Sequence, residues 1–116
     1  MTPQFDRGQL QDALEQDREL VYQMMTLFTQ LQPPMMLRLE IAIANGDCIE
    51  IYDAMHILKS RLRNLYCPRL GDDAESIERM AKENQIDAIQ EAYSKLRVRI
   101  ADAVIGIRAF LDEAGE

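Results

Sequence analysis

The feature that most constrains this chain is a single apolar stripe near its end. Ile86, Ile89, Tyr93, Leu96, Ile100, Val104, Ile107 and Leu111 recur at steps of three and four residues. That spacing keeps one face of an α-helix apolar for about seven turns and matches no strand, whose faces alternate every second residue. A helix this long with one greasy face cannot stand alone in water; it predicts helical partners.

The rest of the chain supplies them. Alternating β-branched stretches bounded by turn dipeptides are absent, so no strand is expected. A short helix begins after Asp6, a suitable N-cap, and carries Leu10 and Leu14 on one side. A second runs from about Asp17 to Leu31, its stripe read as Leu20, Met24, Leu27, Phe28 and Leu31. At Pro33-Pro34 two amide donors are missing, and a break or kink is expected. The helical pattern resumes through Met35, Leu39 and Ile43 and stops at Asn45-Gly46-Asp47, with Gly46 as the left-handed terminator. A third long helix spans about Cys48 to Tyr66. Pro68 opens a fourth that reaches Glu83 or Asn84 and carries Ala74, Ile77 and Ala81 on one side. Amphipathic helices with short connections predict an all-α fold, an antiparallel four-helix bundle with a short additional N-terminal helix. At 116 residues the whole chain, 1–116, reads as one domain.

Composition narrows the function. Formal charge is −7, which argues against nucleic acid, since phosphate binding needs a dominant basic face. No stretch approaches the roughly 20 apolar residues of a membrane span, and the first ten residues lack a secretory pattern. The expectation is a cytoplasmic, monomeric, free-standing protein with reduced thiols. Cys48 and Cys67 sit near opposite ends of one helix, ~28 Å apart and beyond disulfide reach. The seven methionines read as core filler, with a Met-rich docking groove as the sharper alternative.

His56 is the only histidine. On a helical wheel at roughly 100° per residue, Ile51, Ala54, Leu58, Leu62 and Leu65 gather opposite it. Tyr52, Asp53, Lys59, Ser60 and Arg63 share its arc, so the imidazole belongs to a wet face. No acidic residue lies between Asp53 and Asp72, whereas Lys59, Arg61, Arg63 and Arg69 do. In an acidic chain this is a local positive island, and it fits an anion or phosphoryl site with imidazole as nucleophile. Neutral imidazole offers a ring lone pair near physiological pH. Lys59, three residues on, can reach over the ring, and the small Ser60 would leave room for a second protein.

His56, Lys59 and Ser60 match H-x-x-K-[GS], and the pattern resembles that of histidine-containing phosphotransfer domains, the relay modules of multistep phosphorelays. Asn64-Leu65, Leu70 and Ile77-Glu78 extend the likeness, as do the opening segment around Phe5–Phe28 and "LEIAIANGD" before the His helix. By that resemblance His56 accepts the phosphoryl group, Lys59 stabilises its oxygens and Glu78 orients the imidazole. Asp53, Ser60, Arg63, Asn64 and Lys82 would meet the partner, a receiver domain of a response regulator or hybrid kinase. The family needs no cofactor of its own, since Mg²⁺ belongs to the receiver, and its members are carriers rather than kinases. Two departures stand out: Arg63 where a small residue is common, and Tyr66 where glycine often ends the helix. An adaptor of the same fold that binds receivers without carrying phosphate is the alternative. A di-iron site built on Asp53-x-x-His56 would need a second such motif, which the chain lacks.

Overall fold

The computed structural model describes residues 4–114 and is helical throughout, with no strand among them. Five helices follow in order: α1 (Arg7–Gln16), α2 (Arg18–Ala44), α3 (Cys48–Asn64), α4 (Pro68–Lys82) and α5 (Ile86–Ala114). Three start on aspartates whose side chains accept from the third backbone amide along: Asp6 from Gln9, Asp17 from Leu20 and Asp47 from Glu50. Pro68 stands at the first turn of α4, where its missing amide is harmless.

The same turn closes three helices. At Gly46, Tyr66 and Asn84 the backbone turns left-handed, at φ 65, 64 and 58. Each time the following amide reaches back to a carbonyl five residues earlier: Asp47 to Ala42, Cys67 to Leu62, and Gln85 to Met80. These are Schellman caps, which satisfy carbonyls the helix leaves free. Glycine adopts that backbone without strain and asparagine tolerates it, but Tyr66 adopts it against its side chain.

α3 packs on α2 and α4, α5 packs on α4 and α2, and α1 lies on α2. The stripes read for α3, α4 and α5 are the ones turned to the core: Ile51, Ala54, Leu58, Leu62 and Leu65; Ala74, Ile77 and Ala81; and Ile89, Tyr93, Leu96, Ile100, Ile107 and Leu111 are buried, with Ile86 and Val104 of the α5 stripe half-buried. Leu10 and Leu14 of α1 join them, with Met25, Met35 and Met55 as packing. At one pole the segment before α1 meets α5 and the α3–α4 turn. Phe5 packs edge-on against Phe110 at 6.1 Å, Arg7 lies over both rings, and the Asp6 amide donates to the Tyr66 carbonyl.

α2 departs from the expectation twice. It does not break at Pro33-Pro34 but runs helical through both. The prolines are exposed, so the hydrogen-bond gap falls on the wet side. Meanwhile Phe28, Met35 and Leu39 keep one buried line across it, and packing holds the helix together. The core face is also rotated by one residue. Val21, Met25 and Phe28 are buried, whereas Leu20 and Leu27 are exposed and Met24 and Leu31 are half-buried. A helix apolar on two sides gives no unique phase to read.

Candidate functional site

α3 and α4 form a hairpin whose register assembles the site. The turn Leu65–Cys67 sends α4 back along α3, bringing Arg63 beside Gly71 and His56 beside Glu78. A Cβ on Gly71 would stand 2.6 Å from Arg63 Cγ, so the missing side chain lets the Arg63 stem cross there. The two pairs belong to one antiparallel register.

His56 lies in the middle of α3 with its side chain 60% exposed, on the wet face as the wheel predicts. Beneath it, Glu78 is a buried carboxylate with a side chain only 8% exposed. Such a charge needs a partner. Lys59, 13% exposed, provides it: Nζ donates to Oε2 at 3.1 Å and lies 2.9 Å from Oε1. The approach to Oε1 is not aligned for a hydrogen bond, and that atom has no other partner. His56 Nδ1 stands 3.3 Å from it. The buried acceptor with spare capacity therefore faces one imidazole nitrogen and favours the tautomer that carries hydrogen on Nδ1. Nε2 is left with its lone pair. This is the arrangement by which a carboxylate behind a histidine fixes its ring orientation.

Tyr52, on the same arc but not among the expected site residues, stacks on His56 with ring centres 6.3 Å apart and planes within 13°. Its place one turn before the histidine was the available signal. Asp53, Tyr52 and Lys82 line an open depression of about 580 Å³ between α3 and the end of α4, with Cys48, Ile49, Ala81 and Asn84. Ser60 and Asn64 are exposed along α3 beyond the histidine.

Half of the positive island is neutralised in three dimensions. Lys59 is spent on Glu78, and Arg63 donates to Asp72 at 3.1 Å and Glu75 at 3.2 Å. Hydrogen bonding to Asp72, then Glu75, raises the Arg63 guanidinium above its ordinary pKa and turns its charge toward α4. It neither adds a cation at His56 nor covers it. Among the described residues Arg61 and Arg69 form no ion pair. Sequence proximity counted the cations of α3 without the acids of α4 that face them.

The described residues hold no cluster of three or more Cys, His, Asp or Glu side chains able to bind a metal ion. Cys67 is fully buried, and burial pushes its thiol from an ordinary 9.0 up to about 12, so it is no nucleophile at neutral pH. No helix among the described residues is long and apolar enough to cross a membrane. Comparison with protein-family models, curated proteins and solved structures finds no match. The function has to be read from the site's own chemistry.

Proposed function

We propose that this chain is a histidine phosphotransfer protein, with α2–α5 as an antiparallel four-helix bundle and α1 as the added N-terminal helix. One observation carries the reading: an exposed imidazole whose inner nitrogen faces a buried, lysine-held carboxylate. An idle surface histidine needs no such support.

In the proposed cycle Nε2 of neutral His56 attacks the phosphorus of an aspartyl phosphate on a receiver domain. The N–P bond forms as the P–O bond to the aspartate breaks, and the released electron pair restores the aspartate carboxylate. The imidazole becomes cationic with hydrogen retained on Nδ1, where Glu78 stabilises it. A second receiver's aspartate reverses the step, so the protein carries the group and makes none of it. Lys59, which pairs with Glu78, serves as the phosphoryl cation. The receiver contributes Mg²⁺, while Asp53, Ser60, Asn64 and Lys82 form the meeting surface. Arg63 acts indirectly, by holding α4 in register. Such a carrier works in the cytoplasm.

The adaptor reading draws on one observation, that Lys59 and Arg63 are already paired with carboxylates and leave few free cations for phosphate. One experiment separates the two. Incubation with a phosphorylated receiver and Mg²⁺ should place acid-labile, base-stable label on this protein, and His56→Gln should abolish it. Receiver binding without label from any receiver of the same organism would reject the carrier and leave the adaptor.

A further inference from the structure

Glu78 holds His56 at one corner only. A histidine on a helix has its first side-chain torsion limited by the preceding turn, but the second joins sp³ to sp² carbon and is broad. The approach of Nδ1 to Oε1, at 3.3 Å, leaves the ring free to swing about that contact. Nε2 would then point over an arc, whereas in-line attack on phosphorus requires one direction. A second restraint has to come from the face of the ring.

The turns on either side of the histidine offer four neighbours. Lys59 is turned to Glu78, Ser60 is small and exposed, and Asp53 lines the depression beside Lys82. Tyr52 is the fourth. Its ring lies nearly parallel to the imidazole, planes within 13° and centres 6.3 Å apart, inside the range of offset-stacked pairs. Helix geometry accounts for its place. Side chains lean toward the N-terminus, so His56 lies over the turn that carries Tyr52 rather than the one that carries Ser60. The stack meets a face and the carboxylate an edge, so the in-plane lone pair of Nε2 stays open and the His56 side chain remains 60% exposed. The face of a tyrosine also attracts a cation, and the imidazole becomes one when it takes the phosphoryl group.

We infer that Tyr52 is a positioning residue for His56, a role that rests on the phosphotransfer reading. Its ring lies against one face of the imidazole while Glu78 holds the Nδ1 edge, and the two together set the direction of the Nε2 lone pair. Neither touches phosphorus. The aromatic ring carries the role and the hydroxyl does not, so phenylalanine should replace tyrosine without loss.

Tyr52 is 37% exposed, so Tyr52→Phe and Tyr52→Leu should keep the fold, and an unchanged melt checks this. The full chain is labelled in two ways: by a phosphorylated receiver with Mg²⁺, and by phosphoramidate, a small donor that needs no docking surface. Tyr52→Leu should slow both by roughly 3- to 10-fold, the rate equivalent of one aromatic pair, and Tyr52→Phe should keep the parent rate. Because His56 is the only histidine, a single set of imidazole signals in NMR reports its second torsion through long-range carbon–proton couplings. Those couplings should show one orientation in the parent and in Tyr52→Phe, and averaging in Tyr52→Leu. A Tyr52→Leu protein at the parent rate with phosphoramidate overturns the proposal. So does slowing confined to the receiver, which makes Tyr52 a docking contact, or slowing of Tyr52→Phe as large as that of Tyr52→Leu. A parent protein that takes label from neither donor fails the phosphotransfer reading instead. Unaveraged couplings in Tyr52→Leu would then still overturn the hold of Tyr52 on the ring.

Discussion

Lys59→Met isolates the charge pair beneath His56. Methionine keeps the length of the stem and removes the ammonium, so Glu78 is left as a buried carboxylate, its side chain 8% exposed, without its cation. Breaking one side of a buried pair costs about 3–5 kcal/mol, because the surviving charge is uncompensated. Lys59 retains 13% exposure and some solvent reaches the pair, which places the loss near the lower bound, ~3 kcal/mol. For a domain of this size that is a fall in melting temperature of roughly 12 °C. Urea unfolding followed by far-UV circular dichroism measures it directly. The partner variant Lys59→Met with Glu78→Leu removes both charges and should lie within about 1 kcal/mol of the parent. The double mutant would then be more stable than the single by ~2 kcal/mol, a coupling that independent sites do not show. A Lys59→Met protein within about 0.5 kcal/mol of the parent, or additive behaviour of the two substitutions, would refute the idea that Lys59 holds Glu78 in place.

Three further outcomes are expected. Tyr66→Gly should raise stability by about 0.5–1 kcal/mol in urea titration, because glycine adopts the φ of 64 without strain; a loss would mean that the half-buried ring outweighs the backbone. Replacing Pro33 and Pro34 with alanine should stabilise α2 by ~2 kcal/mol or more, as two amides return to the carbonyls of Thr29 and Gln30. A less stable double variant would show that the prolines serve the packing. Stability should hold below pH 9 and fall as the pH rises toward 12. Cys67 and Tyr93 are both raised, chiefly by burial, so the unfolded chain gives up these protons first and the folded state loses ground across that window. A melting temperature unchanged from pH 7 to about 11 would contradict it.

What could be read from residues alone follows from how many faces each helix spends. α5 buries one stripe and exposes charge elsewhere, so Ile89 through Leu111 were legible at once. His56 was placed on the wet face for the same reason: α3 has five apolar residues on one side, against only Ile49 and Tyr52 in the arc of His56. α2 offered Leu20 and Val21, Met24 and Met25, Leu27 and Phe28 as adjacent pairs. Periodicity cannot choose between neighbours of equal hydropathy; only the position of α3 and α5 does. The electrostatics of the site were hidden for a different reason. Arg63 and Asp72 are nine residues apart, Lys59 and Glu78 nineteen, and each pairing depends on a turn and a register that hydropathy does not encode.

The contact of Phe5 with Phe110 has a topological consequence. The two outer segments of the chain meet at one pole, while Gly46 lies at the far end of α3, ~25 Å from the turn at Tyr66. Between Phe5 and Phe110 the described chain thus runs nearly in a closed ring, and where that ring is opened is separable from how the helices pack. Joining the ends by a short linker and opening the exposed Asn45-Gly46 turn would give a circular permutant with the same helix neighbours. In it α3 would become the first long helix to leave the ribosome, followed directly by α4, so the His56–Glu78 hairpin would form before α2 exists.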